Sequence, residues 1–353
     1  MMITDFGQRL RSARKMAGVS MEQLARSTGS LISKQAIGKY EKGQIKPSSE
    51  VLLALAKALD VKVDYFFRSS KLKITGLSFR KKSKLSSKEE NRIRYQALDF
   101  LQKYLELEDI LKLSHNSSNP ISKRKINSHA DIEQAAAEIR QNWNLGEAPI
   151  QQLTELLEDK GFKVLEVEAS ADFVGLSGYT VGTDIPVPVI AVFKEGDCVR
   201  KRFTLAHELA HLLLDFSNCK ADKHEKLCHA FAGALLLPEK IIREEFGGKR
   251  EKVTEWELKK IKGIYGISMQ AIMARALTLG LISEHTFKMF RIYVSKHGWQ
   301  KEEPGKYSGM EKSNRFKQLV LHAAAEQIIS YSKAAELLNL SLADFEQEAH
   351  IVS

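Results

Sequence analysis

Apolar and polar positions divide residues 5–67 into short helical patterns separated by turn signals. Phe6, Leu10, Ala13 and Ala17 recur at helical spacing until Gly18 breaks the run. Ser20 stands three residues before Gln23, a capping pair that opens a second helix with Leu24 and Ala25 turned inward. Gly29 marks a turn. Ser33 precedes a third helix over 34–42, ended by Gly43, and Ser48-Ser49-Glu50 opens a fourth with Leu52, Leu53, Ala56 and Leu59 inward.

The pattern then changes. Residues 68–92 are rich in Lys, Arg and Ser around Phe79-Arg-Lys-Lys-Ser-Lys and read as an exposed basic linker adding non-specific phosphate contacts. Over 89–113, Leu98, Leu101, Leu105, Leu107 and Leu111 form an apolar stripe on a longer helix. That stripe either packs on the rest of the chain or pairs with a second copy in a homodimer. Residues 114–128 read as a loop and hinge. Beyond them come helices over 130–143 and 150–160, then strands over 162–167, 176–181 and 187–193. After Pro238 helical spacing dominates, at 256–264, 268–279, 283–294, 312–326 and 332–338; the last resembles a small helix-turn-helix end piece with no recognition role. A chain of 353 residues has room for two or three domains.

Residues 203–211 read Phe-Thr-Leu-Ala-His-Glu-Leu-Ala-His, an H-E-x-x-H pattern within an apolar helical run. Residues four apart share a helix face, so His207 and His211 can aim two imidazoles at one metal ion. Glu208 stands beside them, placed to take a proton from a metal-bound water. Leu205, Ala206, Leu209, Ala210, Leu212 and Leu213 make the helix apolar nearly all round, hence buried, and a buried His-Glu-His set needs partners. A divalent cation satisfies all three. A catalytic zinc takes three protein ligands and keeps a fourth position open. The metzincin continuation fails, because Leu214 and Ser217 stand where Gly and His would be required. The next ligand-rich segment, 222–229, leads into an Ala- and Leu-rich run closed by Pro238, a second buried helix opened by Glu225. Glu225 lies fourteen residues beyond His211, which leaves room for a loop and a return to the metal.

Arg202-Phe203-Thr204, the H-E-x-x-H pattern, Glu225, Phe231-Ala232 and Leu235-Leu236-Leu237-Pro238 together resemble the ImmA/IrrE family of bacterial metallo-endopeptidases. The resemblance spans roughly residues 130–350, including Phe173-Val-Gly-Leu-Ser-Gly, the apolar strand at 188–193, Gly298-Trp299 and Glu303-Pro304. It implies His207, His211 and Glu225 as zinc ligands and Glu208 as the general base. Many relatives carry Ala-Asn where this chain has Cys228-His229. His229 shares the face of Glu225 and is open to three roles: another ligand, a partner of the ligands, or a donor to the oxyanion, for which Tyr179 is also a candidate. Cys228 reads as a small buried residue or, alternatively, an oxidation sensor beside the ligand helix. Two nitrogens and one oxygen also accept manganese or cobalt.

The amino-terminal pattern, with Tyr40-Glu41-Lys42-Gly43 and Pro47, resembles the Cro/C1-type (XRE) helix-turn-helix of phage repressors. That implies double-stranded DNA as a partner, with the 34–42 helix in the major groove. Ser33, Lys34, Gln35 and Lys39 are its outward candidates and Ile37 faces the core; Gln35 suits adenine, Lys34 guanine or phosphate. Charge agrees: residues 1–125 carry a net +14 and the remainder −4, within +10 overall.

The expected fold is therefore multidomain. An all-α helix-turn-helix domain (1–68) and a basic linker with its connecting helix (69–128) precede an α+β zincin-like metallopeptidase domain (129–245) and a helical C-terminal region (246–353). The opening Met-Met-Ile-Thr-Asp-Phe lacks signal-peptide features, no apolar run is long enough to span a membrane, and three cysteines lack any C-x-x-C pair; a reduced, cytoplasmic setting is expected. Two functions fit. One is a DNA-binding regulator whose zinc endopeptidase cleaves a repressor-type protein in stress or mobile-element control. The other is an antitoxin-like regulator whose metal site is structural or sensory.

Overall fold

The computed structural model describes residues 3–67, 73–81, 85–113, 120–121, 123–181, 185–300 and 302–349. Its amino-terminal module consists of α1 (Ile3–Met16), α2 (Met21–Ser27), α3 (Lys34–Glu41), α4 (Ser49–Ala58) and a 3-10 turn at Val63–Phe67. Serines set the starts. Ser20 and Gln23 form a reciprocal capping box, and the hydroxyls of Ser33 and Ser48 accept from the amides of Ala36 and Val51. Phe6, Leu10, Leu24, Ile37, Leu55 and Phe66 form the core. Arg14 ties α1 to α3 through a bidentate, buried pair with Glu41.

A 24-residue helix, α5 (Ser87–Ile110), is the spine of the molecule. Near its middle, Gln102 accepts from Arg9 of α1. Further along, Glu108 pairs with the buried Lys163 at 2.5 Å, and Tyr104 stacks on Phe316 at 5.2 Å. Its buried positions are covered from within one chain, so the apolar stripe packs rather than standing ready for a second copy. The residues 114–119 and 122 of the expected hinge lie outside the described residues.

Next come α6 (His129–Asn142), α7 (Leu153–Asp159), β2 (Lys163–Val167), β3 (Phe173–Val181), β4 (Pro188–Phe193), α8 (Cys198–Leu213) and α9 (Ala221–Leu236). β2 runs parallel to β4, and β3 antiparallel to it. One expectation is corrected here. The stretch read as an exposed basic linker contains β1 (Lys73–Lys81), which pairs antiparallel with β3 and completes a sheet of order β1-β3-β4-β2. Its Lys- and Arg-rich composition hid it, because an edge strand is held by backbone hydrogen bonds and needs no apolar alternation. Residues 68–72 and 82–84 of that stretch lie outside the described residues.

Helices α10 (Glu239–Phe246), α11 (Glu255–Tyr265), α12 (Met269–Thr278) and α13 (Glu284–Lys296) follow, then α14 (Arg315–Ala325), α15 (Tyr331–Leu338) and α16 (Leu342–Ala349). The buried cluster around α6, α8 and α9 continues without a break into α11 and α12. The last three helices close instead on Tyr104 and Leu107 of α5. Among the described residues no helix is long and apolar enough to cross a membrane.

Candidate metal centre and recognition helix

α8 lies between the sheet and α9, which explains why its apolar residues surround it on every side. His207 and Glu208 are fully buried there, and His211 nearly so. α9 brings Glu225 back to the pair. Its carboxylate oxygens stand 3.3 Å from His207 Nε2 and 3.7 Å from His211 Nε2, and the two Nε2 atoms are 3.2 Å apart. Bonds of about 2.0–2.1 Å to a tetrahedral zinc put ligand atoms roughly 3.3–3.4 Å from one another. The two Nε2 atoms and the Glu225 oxygen nearer His207 stand at about that separation, and the other oxygen lies slightly farther from His211. The imidazoles beside Glu225 hold its carboxyl down to about 2, so it is anionic at neutral pH, as a ligand must be.

Cys228 completes a second grouping, since donor atoms of His207, His211 and Cys228 lie within 4.8 Å of one another. Its sulfur, however, meets His211 at Nδ1, 3.8 Å away, on the ring edge opposite the Nε2 that faces His207 and Glu225. Glu225 thus faces the Nε2 side of the two histidines, and Cys228 the Nδ1 side of His211. Sequence alone treats it as a small apolar residue, because its neighbour on α8 is seventeen positions away.

β3 supplies the other half of the site. Ser177 Oγ donates to Glu208 Oε2 at 2.6 Å, fixing one carboxylate oxygen. Two residues earlier, a Cβ on Gly175 would stand 2.7 Å from Thr204 Cγ2 and 2.9 Å from Glu208 Oε1, so only glycine lets α8 lie this close to the strand. Neither residue stands out in the sequence except as part of the Phe173-Val-Gly-Leu-Ser-Gly segment.

His229 is exposed, with its ring 4.6 Å from that of His207 and stacked on Phe203. Its Nδ1 lies 2.8 Å from the Glu225 carbonyl. A carbonyl only accepts, so Nδ1 carries the proton. The Tyr179 hydroxyl donates instead to the Leu212 carbonyl at the end of α8, and burial pushes its pKa up. His224, which no spacing in the sequence singles out, stacks on Phe216 at 4.2 Å and lies 4.8 Å from His211; burial lowers its pKa.

In the amino-terminal module Lys34, Gln35 and Lys39 project from α3 into solvent, while Ile37 is fully buried. Ser33 is exposed as well, but its hydroxyl is engaged as the cap of α3.

The fold and this site define a metallopeptidase-like domain carried by a chain that begins with a helix-turn-helix. Residues 10–66 match the helix-turn-helix family, and residues 158–277 match the IrrE N-terminal-like domain. The chain thus joins those two domains in that order. Among curated proteins it is similar to the uncharacterized transcriptional regulator in the ATPase CF(0) region of Rhodospirillum rubrum, 46% identical over 61 residues, 17% of this chain and 55% of that protein. It is also similar to the uncharacterized HTH-type transcriptional regulator YobD of Bacillus subtilis, 47% identical over 58 residues, 16% and 50% of the two chains. A third, the SPbeta prophage-derived uncharacterized HTH-type transcriptional regulator YonR of the same organism, is 34% identical over 65 residues, 18% and 58%. The chain spans about half the length of the curated relatives it matches. No solved structure matches it.

Proposed function

We propose that this protein is a DNA-binding transcriptional regulator with a zinc-dependent endopeptidase domain that cleaves a repressor-type protein in stress or mobile-element control. The observation that carries the catalytic half is Glu208: a buried carboxylate next to two histidines that converge on a third ligand, with one oxygen oriented by Ser177. A purely structural metal site has no use for a base so placed.

His207, His211 and Glu225 would hold the metal. When bound, zinc supplies Lewis acidity, lowering the pKa of water towards about 7 and polarising a peptide carbonyl. Glu208 accepts the proton of the attacking water and returns it to the leaving amine. Ser177 keeps its carboxylate aimed during both transfers. His229, whose ring lies 4.6 Å from that of His207, donates through Nε2 to the developing oxyanion when protonated. The three ligand atoms also accept manganese or cobalt.

Alanine at His207, His211 or Glu225 is expected to lower bound metal from one equivalent to well below it after dialysis, read by elemental analysis. Retention of a full equivalent in the Glu225 variant would return the third ligand position to Cys228 or His229. The cleavage test compares wild type with Glu208→Gln in lysate of the native host, with zinc or manganese added, and sequences new peptide termini by mass spectrometry. Fragments made only by wild type identify the substrate. Identical termini under every condition would leave a regulator whose metal site is structural or sensory.

The regulatory half rests on the helix-turn-helix match, the exposed Lys34, Gln35 and Lys39, and the basic amino-terminal third. Lys34→Ala combined with Gln35→Ala should weaken specific operator binding by about 1–3 kcal/mol per lost base contact. Non-specific binding at the same salt should fall less. Equal losses on both DNAs would reduce these residues to phosphate contacts. Joining the two halves brings the peptidase to a repressor at its operator by effective concentration alone.

A further inference from the structure

β3 is the strand that meets the general-base candidate, through Ser177 and Gly175. Its inner edge is paired with β4, Gly175 opposite Val192 and Ser177 opposite Ile190. Its outer edge carries β1, with Ser78 opposite Ser177, Phe79 opposite Leu176 and Arg80 opposite Gly175. An extended peptide recognised through its main chain adds to a sheet edge, about 4.8 Å from the strand it joins. A peptide brought to Glu208 in that way has one edge of β3 to join, and the connector already lies on it. We propose that the outer edge of β3 is the slot for an extended substrate peptide, and that residues 73–81 fill it in the resting chain as an internal stand-in. The proposal rests on the peptidase reading and adds to it the substrate's conformation and a built-in competitor.

Three observations support it. β1 is foreign to the sheet in sequence: β2, β3 and β4 all fall within 163–193, whereas β1 belongs to the segment joining the helix-turn-helix to α5. The pairing is also interrupted, with register shifts between Thr75 and Ser78 and between Arg80 and Lys81, on both sides of the residues opposite the site. Each irregularity costs ladder hydrogen bonds, so the strand is held less firmly than a regular one of nine residues. Finally, β1 runs antiparallel to β3, the orientation whose ladder is slightly more stable per residue and which a separate extended peptide can adopt as well. Tethering gives β1 an effective concentration in the millimolar range, enough to exclude a weak substrate but not one that binds well.

The test uses the full chain in a Glu208→Gln background, so that nothing is cut, loaded with cobalt as a visible reporter of the metal site. Ser78→Pro with Phe79→Pro removes two successive β1 amides, at least one of which faces β3. The probe is a fluorescein-labelled peptide of residues 73–81, Lys-Ile-Thr-Gly-Leu-Ser-Phe-Arg-Lys. We expect the proline variant to bind it at least tenfold more tightly than the parent, and the cobalt spectrum to change as it binds. Equal affinities would overturn the proposal. So would binding that leaves the cobalt spectrum untouched, which would make β1 only a cover for the sheet edge.

Should the proline variant lose metal or far-UV dichroism, hydrogen exchange on the unsubstituted β1 decides. Millimolar unlabelled peptide should accelerate exchange within 73–81 several-fold while β3 stays protected, and no acceleration would refute the proposal. These readings need no cleavage. A chain that binds the peptide at the metal but cuts nothing in lysate fails the peptidase reading alone; one that cuts a substrate but is indifferent to β1 fails this proposal alone.

Discussion

Glu208→Gln is expected to lower peptide cleavage by about 10²–10⁴-fold, the usual contribution of a positioned general base, while bound metal and fold are unchanged. Glutamine keeps the shape of the side chain and the carbonyl oxygen that accepts from Ser177. What it removes is the ability to take a proton. Because Glu208 is fully buried, a charged carboxylate there costs stability, and the neutral amide should leave the protein at least as stable as the parent. The comparison is a single-turnover assay on the substrate found in lysate, with metal content measured on the same preparations. Cleavage within threefold of wild type would remove Glu208 from the mechanism, and lost metal would show that the substitution had disturbed the ligands instead.

Glu311→Ala should destabilise the metallopeptidase-like domain by about 3–5 kcal/mol, the range for breaking a buried ion pair by removing one partner. Glu311 sits 2.5 Å from Arg202, and both side chains are fully buried. Arg202 opens the helix turn that leads to His207, and it also donates to the carbonyls of Ile150, Gln151, Tyr265 and Gly266. Glu311 in turn accepts from the amides of Leu153 and Thr154, capping α7 where Gln152 supplies no side-chain cap. Alanine therefore strands a buried guanidinium and uncaps a helix at once. Glu311→Gln, which retains an acceptor, should cost less than alanine. Urea unfolding of metal-loaded protein, followed at a probe in this domain, measures both; a loss below 1 kcal/mol for alanine would mean that the site relaxes around water.

Much of this arrangement is legible without coordinates where the interactions are local. Serine caps, glycine stops and i to i+4 spacings locate α2, α3, α4, α8 and α9, and they set His207 and His211 on one face. Glu225 is different: no local pattern singles it out, and its ligand role is what the family resemblance implies and the proposed function adopts. β1 was missed because edge pairing leaves no periodic signature, and α10 because Pro238 at its start offers no side-chain cap; α16 also went unread. Ser177 and Cys228 were missed for a different reason. A serine in a strand and a buried cysteine are ordinary residues until another element arrives beside them.

The sequence by itself determined the order of the modules, the spacing of the histidines with their adjacent carboxylate, and the exposed polar face of α3. Each depends on residues within one or two helical turns, where backbone geometry fixes who meets whom. Only the tertiary structure brought the Glu225 carboxylate within 3.3–3.7 Å of the two histidines, Ser177 onto Glu208, Cys228 to His211 Nδ1, and the connector along β3. Those contacts join segments from 14 to about 100 residues apart, and packing, rather than local propensity, chooses among the partners that such distances allow.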